Sequence, residues 1–218
     1  IDSVSRAVTI LGLQQVHDMV LAMSIGSVFQ DVHPETMDMN RFWRGSVMCG
    51  LAAREIARRM GAHHAERMLT IGLLSDLGHL VMYQTVPRLA EEAQLAARDG
   101  EDELHTVERR IVGCDFAEVG ATLAAHWKLP DCFVKVIGAQ VIPRLGGEFV
   151  AEACILNIAA HIVSADRNGE ASDEVSQRID AAVWAQVGLA ADEFAALRET
   201  AELNLASYIA ILFPGMRS

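Results

Sequence analysis

The stretch Thr70-Ile-Gly-Leu-Leu-Ser-Asp-Leu-Gly-His-Leu80 restricts the fold of this 218-residue chain more than any other. Leu73, Leu74, Leu77 and Leu80 recur at helical spacing, which predicts a buried helix. Gly72 and Gly78 mark points where the helix breaks or where another backbone comes close. Asp76 is a single acid among leucines, and its carboxylate is costly to bury unless a metal, a cation or backbone donors meet it. On the residues alone, the simplest account is a helix-end acid held by local hydrogen bonds.

The remaining sequence points to an all-α fold. Alanine and leucine abound while β-branched and aromatic runs are few, so a multi-helix domain is expected. The length suits one sizeable core and is short for two, and no Ser, Gly or Pro run marks a linker, so residues 1–218 read as a single domain. A net charge of -11 with scattered Lys and Arg repels phosphate backbones and disfavours nucleic acid as a partner. Cys49, Cys114, Cys132 and Cys154 lie far apart in apolar contexts and read as small core residues, which suits a reducing cytoplasm. No charge-free apolar run of about 18 residues predicts a membrane span, and no signal peptide is evident. The chain opens at Ile1 inside an apolar periodic pattern, which predicts a piece of a longer protein.

In chain order, Asp2 or Ser3 is expected to cap a helix ending at Gly12, followed by a helix from Gln14 to about Phe29 and a loop from Asp31. Asn40 is expected to cap a long helix to Met60, with Trp43, Val47 and Leu51 in one core row. Arg54, Glu55, Arg58 and Arg59 are expected to face water. After the helix pair running to about Gln84, Pro87 opens a helix to Gly100, and Glu101 to Val112 is helical again. Asp115 with Glu118 forms a capping-box start, and Pro130 opens the next helix. A buried helix follows from Phe149 to about Ala165, then a turn at Asn168-Gly169. A short helix is expected from Ile179 to Val187, and a last one capped by Asp192, with Phe194, Leu197, Ala201, Leu205, Tyr208 and Leu212 as its core stripe. Gly146-Gly-Glu-Phe149 resembles a diguanylate cyclase motif but is one acid short and lacks flanking strands.

Gly72-Leu-Leu-Ser-Asp-Leu-Gly-His-Leu80 resembles the signature of the HD superfamily of metal-dependent phosphohydrolases, in which a His-Asp doublet follows Gly-Leu-Leu. Ile1 to Gly12 is similar to the element joining the two halves of the HDOD domain, the HD-related output domain of bacterial signalling proteins. Glu108-x4-Gly113-x-Asp115-x-Ala117-Glu118-Val119-Gly120-Ala121-x-Leu123-x3-Trp127-x-Leu129-Pro130 resembles the HDOD pattern almost position by position. The resemblance covers roughly residues 1–165, leaves 166–218 to amphipathic pattern, and implies further N-terminal helices that this chain lacks.

At the positions where the resemblance implies metal ligands, the chain carries Gly45, Ser75, Asp76, Phe116, Gln140 and Ala160. One ligand type remains, and a catalytic site needs several imidazoles and carboxylates converging on one or two metals. The resemblance therefore implies a retained fold without the chemistry: a non-catalytic regulatory domain, with no metal and no cofactor, acting through protein contacts or a small ligand in the emptied pocket. Asp76, His79 and Arg44 are the candidate contacts, and receiver, EAL or GGDEF domains are the partners it implies. The alternative is a phosphohydrolase with a rearranged site around Asp76, His79 and another histidine from among His63, His64, His126 and His161. Without a metal, Asp76 is expected to take hydrogen bonds from backbone N–H groups or from Ser75, His79 or an arginine.

Overall fold

Asp38 opens the first helix of the described residues: its carboxylate accepts hydrogen bonds from the Asn40 and Arg41 N–H groups at 3.0 and 3.1 Å. The cap is thus Asp38 and not Asn40, two residues on, because an acid just outside the helix can reach the unpaired amides of its first turn. The computed structural model describes residues 37–213 apart from 63 and 101. The expected helices over residues 1–36, His63 and the stop at Pro214 lie outside the described residues.

The described residues form one all-α domain with no strand among them. In order they are α1 (Met39–Arg59), α2 (Ala65–Leu74), α3 (Leu77–Thr85), α4 (Pro87–Asp99), α5 (Leu104–Ile111), α6 (Phe116–His126) and α7 (Asp131–Ala139). A 3-10 segment (Pro143–Phe149) leads into α8 (Val150–Asn168), α9 (Ser172–Arg178) and α10 (Ala181–Val187). A second 3-10 turn (Ala191–Glu193) precedes α11 (Phe194–Leu212). Gly146-Gly-Glu-Phe149 lies within the first 3-10 segment, not in a hairpin.

Helix α1 runs through the middle and packs against α2, α8 and α11. Trp43, Val47, Met48, Leu51, Ala52 and Ile56 are buried along it, as the row pattern predicts. The predicted exposure of Arg54 does not hold. Arg54 is buried, donates to the Tyr208 hydroxyl, lies over that ring at 4.8 Å, and approaches Glu66 at 3.6 Å. Its guanidinium pays for burial by pairing with a carboxylate and an aromatic face brought by α2 and α11.

The glycines of the opening segment set how closely helices approach. A Cβ on Gly72 would sit 2.6 Å from the Gly50 Cα, so α1 and α2 meet backbone to backbone. A Cβ on Gly78 would sit 1.9 Å from the Phe116 carbonyl oxygen, so the start of α3 meets the start of α6 in the same way. The Asp115–Glu118 capping box forms as predicted, with Glu118 N–H donating to Asp115 at 2.9 Å and Asp115 N–H to Glu118 at 3.1 Å.

Two boundaries near the C-terminus differ from expectation. Asp180 caps α10 through the Ala182 N–H, and α9 is an additional helix before it, built around buried Val175. Asp192 lies in the 3-10 turn, and α11 starts at Phe194 with Phe194, Leu197, Ala201 and Leu205 buried. Pro143–Asn168 is long and apolar enough to cross a membrane, but Cys154, Ile155, Leu156, Ile158 and Ile162 are buried in the core. Gly78→Ala should cost about 3 kcal/mol in urea unfolding, because the clash is with rigid backbone. Gly120→Ala is tight only against the Ile137 methyl at 3.1 Å, with Gly78 N at an ordinary 3.6 Å, and should cost about 1 kcal/mol.

Candidate functional site

The joint between α2 and α3 holds the acid singled out by the sequence. Asp76 sits just before α3, yet its side chain makes no bond to the helix amides. Its Oδ1 instead lies 2.6 Å from His79 Nδ1, and its Oδ2 accepts from Arg167 Nη2 at 3.1 Å. Of the expected partners, His79 and an arginine are therefore present, while Ser75 turns away. The Ser75 hydroxyl donates to the Gly72 carbonyl at 2.8 Å and lies 3.5 Å from Cys49 Sγ.

His79 is the second member. Its Nε2 lies 3.0 Å from Glu108 Oε1, off the N–H direction, so this is an ion contact and not an aligned hydrogen bond. Glu108 Oε2 accepts from the Phe116 N–H at 3.0 Å. The Phe116 ring stacks on the imidazole with centroids 4.0 Å apart and planes 10° apart. An imidazole with an acid at each nitrogen and a π-face beneath it is held as the cation. Burial opposes that charge, but Asp76 and Glu108 override it and push the His79 pKa up to about 9. Burial likewise works against the Asp76 carboxylate, and the charges of His79 and Arg167 hold its pKa well below the usual carboxylate range.

Arg167 comes from the last turn of α8, and Arg41 ties it down by donating to its carbonyl oxygen at 2.7 Å. A Cβ on Gly45 would lie 2.3 Å from Arg167 Nη2. The absent side chain at position 45 is thus the space that the guanidinium uses to reach Asp76. Gln140 sits where α7 ends, donating through Nε2 to the Ser75 and Ile137 carbonyl oxygens at 3.0 Å and accepting from Asn157 at 2.7 Å through its own backbone carbonyl. Ala160 is half-buried on α8.

Not every candidate converges. Arg44 is exposed and faces Asp166 at 3.6 Å, outside the cluster. His64 lies 3.1 Å from Glu152, His126 is exposed, and His161 Nδ1 donates to the Asn157 carbonyl at 2.9 Å, so none of them reaches Asp76. Arg167 was not singled out in the sequence, because its helix was expected to end near Ala165. Glu108 was visible only as one letter of the longer motif.

The HDOD domain profile matches residues 1–143. The chain belongs to the HDOD domain family. An HDOD domain protein from Geobacter sulfurreducens has a similar crystal structure, with TM-score 0.77 and 18% identity, covering 95% of this chain and 74% of that one. A protein from Shewanella amazonensis SB2B, described as a proposed phosphohydrolase, matches with TM-score 0.71 and 26% identity over 91% of this chain and 71% of its own. The MmoQ response regulator of Methylococcus capsulatus str. Bath matches with TM-score 0.56 and 24% identity, covering 91% and 75%. An uncharacterized protein of Treponema pallidum (strain Nichols) is 25% identical over 136 residues, so the chain spans about a quarter of that curated relative (26%).

A metal does not fit this HDOD domain's centre. Both Asp76 oxygens are engaged by cations, Arg167 uses the space beside Gly45, and Phe116 sets a ring against His79. Among the described residues no group of three or more His, Cys, Asp or Glu side chains is arranged to hold a metal ion. The domain is a non-catalytic member of the HD superfamily, with Asp76 salt-bridged to His79 and Arg167 at its centre.

Asp76→Ala should lower stability by about 2–3 kcal/mol, since it leaves Arg167 without its carboxylate and His79 with Glu108 alone as its acid. Asp76→Asn, which keeps an acceptor oxygen, should cost about 1 kcal/mol less; equal unfolding midpoints for the two would contradict the charge argument. The folded pKa of His79 is raised from 6.5 to about 9, so its contribution is complete below pH 6.5 and is lost as pH rises through about 9. Asp76 acts oppositely: its contribution is present above its ordinary value of 3.8 and is lost as pH falls below it. Urea titrations should therefore show stability falling by roughly 1–3 kcal/mol between pH 6.5 and 9.5, with that slope removed in His79→Gln.

Proposed function

We propose that this HDOD domain serves a bacterial signalling protein by direct protein contact, and that its centre is a structural node and not a ligand pocket. The observation that carries the reading is Arg167 in the space beside Gly45, paired with Asp76. A small molecule entering there would have to displace a guanidinium from a half-buried carboxylate, which costs about 1–3 kcal/mol before any new contact forms. Family resemblance supports receiver, EAL or GGDEF domains as the partners, and the chain's short span of its curated relative leaves room for them on the same polypeptide. Unpaired thiols at Cys49, Cys114, Cys132 and Cys154 support a reducing cytoplasm as the setting.

Metal analysis and partner capture test the two halves of this reading. Protein purified without chelator should carry no stoichiometric Mn, Fe, Zn or Ni and should not hydrolyse a phosphodiester when those ions are added. Stoichiometric metal that disappears in Asp76→Asn would restore the phosphohydrolase alternative. The full-length protein should bind at least one isolated receiver, EAL or GGDEF domain, and Asp76→Asn should leave that affinity within about threefold. Failure to bind any of the three would overturn the partner assignment.

A further inference from the structure

Helices α4 and α5 are attached to the rest of the domain through few buried residues. Of α4 only Ala90 and Ala93 are buried, and of α5 only Val107 and Glu108. By contrast, α1 buries a continuous set from Phe42 to Ala57 that includes Trp43, Met48, Leu51 and Ile56. The apolar cluster at the base of the pair is small and separate from the main core: Met82, Tyr83 and Ala90, with Val86, Phe116 and Val119 against them. So little buried apolar surface cannot hold two helices firmly, because burial stabilises in proportion to area.

Polar bonds supply the remaining attachment, and the buried one is Glu108. Its side chain is 3% exposed, with one oxygen on the Phe116 N–H and the other beside His79. Through His79 it joins Asp76 and Arg167, giving an alternating row of charges from α5 through α3 to α8. The other links include a Tyr83 hydroxyl donating to Gln94, and Arg109, itself half-exposed, on Asp115 at 2.7 Å and Glu118 at 3.2 Å. Both ends of the pair are natural joints. Val86 leaves the helical region at φ -135° and ψ 53° before Pro87, and Gly113 takes φ +96° after α5.

We infer that α4 and α5 form a flap that opens as a unit, and that Glu108 on His79 is the clasp that keeps it shut. Opening rotates the flap about Val86 and Gly113, breaks the Glu108 contacts, and uncovers Met82, Tyr83, Phe116 and Val119. The core of α1, α2, α8 and α11 stays intact, because its apolar contacts do not run through α4 or α5. This goes beyond the proposed function: the flap is a property of the fold and stands whatever partner engages the domain.

Native-state hydrogen exchange of the full chain tests it, with amides of α4 and α5 read against those of α1, α2 and α8. Glu108→Gln keeps an acceptor for the Phe116 N–H but loses the charge opposite His79. It should speed exchange in α4 and α5 at least tenfold while the core amides stay within twofold. Trypsin should then cut at Arg98 in the variant under conditions that leave the parent intact. Arg110→Ala, which removes only the exposed pair with Asp102 at 2.9 Å, should leave exchange of both helices within twofold. Unchanged exchange in Glu108→Gln, an equal rise in flap and core, or a tenfold rise in Arg110→Ala would each overturn the clasp. Should Glu108→Gln fail to fold, the same comparison in His79→Gln decides, with the same outcomes.

Discussion

The structure depends on the neutralisation of one half-buried carboxylate. Asp76 lies between two short helices in an apolar setting where an unpaired charge is prohibitive. It is met by two cations from different parts of the chain, His79 one turn along and Arg167 from the far end of α8. That pairing pins the α2–α3 joint to α8, and through Arg41 to the start of α1. Gln140 adds a neutral brace from α7 to the same joint. Five helices, α1, α2, α3, α7 and α8, thus converge on one point.

The fold was largely legible in the sequence, since it rests on local rules. Apolar rows at helical spacing located α1, α8 and α11, and the Asp115–Glu118 pair located the start of α6. Gly72 and Gly78 were readable as close approaches, although which backbone each would meet was not. Misplaced boundaries cluster where one acid competes with a neighbour for the cap, as at Asp38 against Asn40. Arg54 was misread because amphipathic pattern assigns every arginine to water, whereas Tyr208 and Glu66, distant or separate in sequence, supply a buried berth.

The centre was legible in half. The degenerate positions were read as departures from a pattern, and Asp76 and His79 were linked by their three-residue spacing on a helix. Arg167 was invisible because 91 residues separate it from Asp76 and no periodicity connects them. Its one trace in the sequence was negative, the missing side chain at Gly45. A deletion of bulk announces that something else takes the space, but only the three-dimensional arrangement says what. Glu108 was hidden for a related reason, as its role appears only once α5 lies across α3 and α6.

The close approach of Arg167 to Gly45 also ties the volumes of two distant positions together. A Cβ at 45 would lie 2.3 Å from Arg167 Nη2, so a side chain added there has to displace the guanidinium end from its present place. That displacement would lengthen or break the 3.1 Å bond to Asp76. Position 45 and residue 167 therefore act as a size-coupled pair, in which bulk gained at one must be matched by movement of the other.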